Sequence, residues 1–171
     1  MLLDLIIVFL VLLNHISIRD SLNGSKYIGM DERDLTIDII KSAINAPNFQ
    51  YEFEIKQRKL LNLPFSEYKT MFSRLIPCVN KYKFIMKTRV NKNIGAYVVK
   101  RISNAIFINA NVWQDNTDVQ KSKILIHECS HLMLNTLDYY YSFQDGFSSL
   151  RGYKANKNAD TIASLIIDLG T

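Results

Sequence analysis

Two of the chain's three histidines stand four residues apart, in Ile124-Leu125-Ile126-His127-Glu128-Cys129-Ser130-His131-Leu132. On an α-helix that spacing stacks both imidazoles on one face, where they can reach a single metal ion. Glu128 projects about 100° further round, so it can hydrogen-bond a metal-bound water without taking a coordination place. This is the HExxH arrangement, in which zinc lowers the pKa of its water to about 7 and the carboxylate removes the proton. The other reading is two histidines on a wet helix face. The apolar triplet before His127 argues against it, because that helix is then buried and an unpartnered pair of buried imidazoles is costly.

A hydrolytic zinc site takes three protein ligands and keeps one place open. No Glu or His follows His131, and position 137, where a metzincin has its third histidine, is Leu. The metzincin and gluzincin patterns are therefore excluded. Cys129 lies two residues from each histidine, roughly 200° away on the helix wheel, and cannot share their ion. The carboxylates left downstream are Asp138, Asp145, Asp160 and Asp168. Asp138 is favoured because Asn135-Thr136 can turn the chain just after the helix and bring the next carboxylate back towards His131. Asn is a fair residue for the left-handed conformation such a turn uses.

The chain of 171 residues suits one domain with a real core and no need of staples. Its net charge of +5 is uneven: positions 51–101 hold twelve Lys or Arg against three Glu. Clustered basic charge can meet nucleic acid or an anionic membrane, but no nucleic-acid-binding signature accompanies it, and a solvated helix face explains it. Cys78 and Cys129 are the two cysteines, too few for a disulfide framework; they form one bridge or none. Residues 2–13 are almost continuously apolar, too short for a membrane span but of signal-peptide length. Asp4 and the lack of an initial Lys or Arg fit a signal imperfectly. Residues 1–26 are expected to be this segment and a linker, and 27–171 the domain, with export as the working localisation.

Asp31 opens an expected helix with Leu35, Ile37, Ile40 and Ile44 on one buried face, and Pro47 closes it. Further helical stretches are expected over 54–61 and 66–76, and after Pro77 over 81–89. Tyr97-Val98-Val99 and Ile106-Phe107-Ile108 read as a hairpin across Ser103-Asn104. Thr117-Asp118-Val119-Gln120 fits a capping box, which starts a helix running to about Leu134 and stopping at Asn135. A last helix is expected from Asn158 to Leu169.

The run His127-Glu128-Cys129-Ser130-His131, then Asn135-Thr136-Leu137-Asp138-Tyr139-Tyr140-Tyr141-Ser142, then Asn158-Ala159-Asp160 resembles the aspzincin metallopeptidases, the deuterolysin and peptidyl-Lys metallopeptidase family. The resemblance covers residues 96–166. It implies one zinc ion held by His127, His131 and Asp138, with Glu128 as general base. Tyr141 would donate its hydroxyl to the oxyanion, and Asp160 would sit at the cleft behind a ligand or on the substrate side. Asn135 and Ser142 stand where the family's second motif has glycines. Ala163 stands where lysine-cleaving members carry a further acidic residue, so strict lysine specificity is not implied.

The expected architecture is α+β, zincin-like: a small antiparallel sheet, the HExxH helix and last helix beside it, and N-terminal helices completing the domain. A monomer acting on protein or peptide substrates is expected, with no specific nucleic acid and no stable membrane span. The exposed edge of the Ile106-Phe107-Ile108 strand would align an extended peptide. Two rivals remain at this level. One is a non-catalytic zinc-binding interaction domain, against which Glu128 argues because a structural site needs no base. The other is a basic nucleic-acid- or membrane-binding helical protein with a coincidental His pair, which predicts no bound zinc.

Overall fold

The computed structural model describes residues 27–46, 65–88, 94–98 and 105–171. Along them run α1 (Met30–Asn45), α2 (Phe65–Ser73), α3 (Ile76–Lys81), β1 (Lys83–Lys87), β2 (Ala96–Val98), β3 (Ala105–Asn109), α4 (Ala110–Asp115) and α5 (Asp118–Met133). A 3-10 turn (Asp145–Ser149), α6 (Gly152–Asn156) and α7 (Ala159–Gly170) follow. The fold is α+β. The apolar N-terminal segment, the helix expected over 54–61 and the Ser103-Asn104 link lie outside the described residues. Among the described residues no helix is long and apolar enough to cross a membrane.

Helix α1 buries Thr36, Ile37, Ile39, Ile40 and Ala43, while Leu35, expected on that face, is exposed. Its end follows from Pro47, which forces the preceding residue out of helical geometry; Ala46 has ψ 127°. The stretch expected over 66–76 breaks into α2 and α3, with Pro77 in the first turn of α3, where its missing N–H costs nothing.

The sheet has three strands in the order β1-β3-β2. Strands β2 and β3 pair antiparallel, Tyr97 opposite Phe107, which is the hairpin read from the sequence. Strand β1 joins β3 in parallel, Ile85 opposite Phe107, so the sheet is mixed, not wholly antiparallel. Positions 83–87 were expected to be helical on the strength of their lysines. They form a strand because Phe84 and Ile85 are adjacent and both buried, on opposite sides: Phe84 in the main core and Ile85 with Ala105 and Phe107. Only the two-residue period of a strand presents neighbours to two different layers. All five residues of β3 are buried. The short helix α4, not expected from the sequence, is capped at its start by Asn109 Oδ1, which accepts from Asn111 N at 3.2 Å.

Helices α1, α5 and α7 pack against one another, and α5 also touches β2 and α3. Ile40, Leu125, Ile126, Ile162 and Ile166 are fully buried between them, each contributing about 1.5–3 kcal/mol on leaving water. The capping box of α5 is formed in both directions, Gln120 N donating to Thr117 Oγ1 and Thr117 N to Gln120 Oε1.

Cys78 of α3 and Cys129 of α5 are joined as a disulfide across 51 residues of sequence. Closing a loop of that length in the unfolded chain stabilises the fold by about 4 kcal/mol in the chain-entropy account. The Cys78→Ala/Cys129→Ala double variant is therefore expected to unfold at lower urea concentration, with about 2–4 kcal/mol less stability. An unchanged midpoint would contradict this.

Candidate metal centre

Helix α5 brings His127, Glu128 and His131 to the inner face of the domain, all three buried. The helix stops at Leu134, and Asn135 takes φ 53°, the one positive φ among non-glycine residues described. Thr136 N then donates back to Ser130 O at 3.4 Å, so the chain reverses and Asp138 returns over the helix end. Asp138 Oδ1 lies 3.0 Å from His127 Nε2 and 3.2 Å from His131 Nε2. The two Nε2 atoms are 3.1 Å apart. Zinc–ligand bonds of about 2.0–2.1 Å at tetrahedral angles place donor atoms roughly 3.3 Å from one another. The three residues thus form a group able to hold a metal ion, and the donor set of two imidazoles and one carboxylate suits zinc.

Neighbouring side chains and backbone groups set the orientation of these three residues. His131 Nδ1 lies 3.0 Å from the Thr136 carbonyl; donation there puts the proton on Nδ1 and leaves the Nε2 lone pair for a metal. Ser130 donates to His127 O at 2.7 Å and is 2.7 Å from Thr136 Oγ1, tying the helix end to the turn. Asn158, fully buried, accepts at Oδ1 from Tyr139 N at 2.9 Å and Tyr140 N at 3.2 Å. Its Nδ2 donates to Tyr140 O at 2.8 Å and Thr161 Oγ1 at 3.0 Å. Leu137 pairs with the same segment, its N donating to Lys157 O and its O accepting from Ala159 N. Asn158 stood in the sequence as part of a motif; its service as a clamp on the Asp138 loop needs the tertiary contact to be seen.

Asp160 was placed at the cleft, behind a ligand or facing substrate. It is buried, with Oδ1 3.7 Å from His127 Nδ1 and Oδ2 accepting from Ser142 N at 2.6 Å and Lys123 Nζ at 3.3 Å. Those contacts set it at the back of His127, away from the open side of the triad. Lys123 also donates to Ser142 Oγ at 2.9 Å, so one ammonium joins α5, the Tyr141 loop and α7. Ser142 is not among the positive-φ residues described, so its backbone needs no glycine there. Tyr141 stacks on the His127 ring, centroids 5.7 Å apart and planes 8° apart.

The electrostatics separate the groups. Burial lowers the His127 pKa, but the Asp138 and Asp160 carboxylates and the Glu128 charge outweigh it and raise it to about 9. Burial raises Asp138, and the two imidazoles more than reverse it, so its carboxylate is held well below the usual range. Glu128 is pushed up by burial, opposed by the charges of His127 and His131, and its Oε2 is a buried oxygen without a hydrogen-bond partner. Tyr141 is pushed up by burial and then by Asp138, Glu128 and Asp160, so its hydroxyl keeps its proton at neutral pH.

No protein-family model matches the chain, and no curated protein sequence matches it significantly. Among solved structures, the zinc peptidase from Grifola frondosa is similar, at 18% identity and a TM-score of 0.50, over 82% of this chain and 97% of that one. At such identity the likeness is one of fold.

Two outcomes follow from this geometry. Because His127 is protonated below about pH 9 in the metal-free protein, a metal must displace that proton, so affinity weakens about tenfold per pH unit below that point. Chelator competition at pH 7 and 8 should show the weaker binding at pH 7; equal affinities would refute it. Asn158→Ala removes the partners of two part-buried amide N–H groups and a carbonyl and should lower stability by about 1–2 kcal/mol, with weaker zinc binding, read by denaturation and chelator competition.

Proposed function

We propose that the chain is a zinc-dependent endopeptidase of the aspzincin type. The reading is carried by one observation: His127 Nε2, His131 Nε2 and Asp138 Oδ1 converge within 3.0–3.2 Å of one another, beside a buried Glu128 oxygen that lacks a partner. The fold shared with a zinc peptidase supports it. A zinc ion bound there would polarise the scissile carbonyl and lower the pKa of an attacking water to about 7.

The chain's own residues then divide the work. Glu128 takes the proton from the attacking water and passes it to the leaving amine; in the metal-free protein burial raises its pKa above the ordinary carboxylate value. Tyr141, protonated and held flat against His127, donates its hydroxyl to the carbonyl oxygen as charge develops on it. Asp160 steadies the His127 ring from behind. The substrate backbone pairs with β2, not with the Ile106-Phe107-Ile108 strand expected from the sequence. That strand is β3, the central one with both edges occupied, whereas β2 packs beside α5 and has no second strand partner among the described residues. The Cys78–Cys129 bridge fits an oxidising compartment, and hence export.

Glu128→Gln separates this reading from a non-catalytic metal-binding domain. Cleavage of an unstructured protein should fall by about 10²–10⁴-fold, the range for removal of a general acid-base group, while zinc stays bound at one ion per chain. An undiminished rate would refute the mechanism, and absence of stoichiometric zinc in untagged protein would refute the metal reading. Tyr141→Phe should lower kcat by about 10²–10³-fold with little change in KM.

A further inference from the structure

A file of three rings leads from the metal-ligand triad towards solvent. The His127 and Tyr141 rings are nearly parallel, centroids 5.7 Å apart, and the same arrangement repeats between Tyr141 and Phe143, at 5.5 Å with planes 9° apart. Phe143 is 82% exposed, the most exposed of the large hydrophobic side chains described. A scattered apolar side chain on a surface needs no explanation. Phe143 differs because its ring runs parallel to Tyr141, in a series that begins on His127.

We propose that Phe143 is the floor of a substrate subsite that takes a planar, uncharged side chain, Phe, Tyr or Trp, from a peptide lying across the triad. This names the substrate class of the site and rests on the peptidase reading. A fourth ring laid on Phe143 continues the offset stacking that already relates the first three, at centroid distances of about 4.5–7 Å. A cation would also be drawn to the face of a phenyl ring, but two of the carboxylates that face Tyr141 are already engaged, Asp138 by His127 at 3.0 Å and His131 at 3.2 Å. Asp160, the buried carboxylate beside the stack, is already engaged by Lys123 Nζ at 3.3 Å and Ser142 N at 2.6 Å. The Lys123 ammonium is itself fixed on Ser142 Oγ at 2.9 Å.

The test compares cleavage sites in a denatured protein mixture, mapped by mass spectrometry, for the wild type, Phe143→Ala and Phe143→Trp. The proposal expects aromatic residues enriched about fivefold or more at one position flanking the cut bond, an enrichment lost in Phe143→Ala and kept in Phe143→Trp, the magnitude being that of one aromatic contact. Binding gives a readout without turnover. A labelled peptide with Phe at that position should bind zinc-loaded Glu128→Gln about fivefold more tightly than its Ala counterpart, again by one aromatic contact, and the difference should vanish in Glu128→Gln/Phe143→Ala. Cleavage without aromatic preference, preference for Arg or Lys, or preference that survives in Phe143→Ala would overturn the subsite alone. A wild type that leaves the mixture intact would overturn the peptidase reading on which it stands.

Discussion

Three electron-rich atoms, two imidazole nitrogens and a carboxylate oxygen, are held within 3.0–3.2 Å of one another, and that arrangement is repulsive unless a proton or a cation lies among them. Without metal the surrounding protein answers with a proton, which is why His127 is raised to about 9 despite its burial. Much of the local structure exists to hold this convergence. The tautomer that frees His131 Nε2 depends on the Thr136 carbonyl, and Thr136 is in place because Asn135 accepts a left-handed backbone. A β-branched residue at position 135 would resist that conformation, and the turn with it.

Two of the candidate metal-binding residues sit on a helix and the third on a loop, so the loop must be made as rigid as the helix for the site to be precise. Asn158 does this with one side chain. Its amide is bonded on both sides to the backbone of residues 139–140, which fixes the peptide units immediately after Asp138. Since Asn158 precedes α7 and α7 packs on α5, the loop is referenced to the same helix that carries the histidines. The far end of that reference is the disulfide from Cys129 to α3, which anchors α5 between the two histidines on its opposite face.

What the sequence made legible was local and periodic. The His127–His131 spacing, the capping box at Thr117, the left-handed stop at Asn135 and the hairpin of β2 and β3 each depend on a few consecutive residues, and each is found in the structure. Elimination left four carboxylates after His131, and the turn at Asn135-Thr136 favoured Asp138 among them, which the structure brings back to the histidines. The failures are the places where distant partners decide. Lysines at 83 and 87 suggested helix, but a slot beside β3 that buries Phe84 and Ile85 on two sides overrode that propensity. The same strand insertion left β3 without the free edge expected for it. Asn158, Lys123 and Ser130 are common polar residues in sequence; their roles appear only once α5, α7 and the intervening loop are brought together.

Three carboxylates share this small volume, and their surroundings push them to different ends. Asp138, between two imidazoles, is lowered and stays ionised, as binding a metal would require. Asp160 would be raised by its burial, but His127, Lys123 and Ser142 lower it, so it remains a fixed anion behind the ring it steadies. Glu128 alone is raised, because burial outweighs the cationic neighbours and one of its oxygens has no donor facing it. Divergent proton affinities among neighbouring acids are how one site assigns different duties to one functional group. Of the three, Glu128 is the carboxylate whose environment favours accepting a proton, and it is the one that a water-activating mechanism asks to carry one.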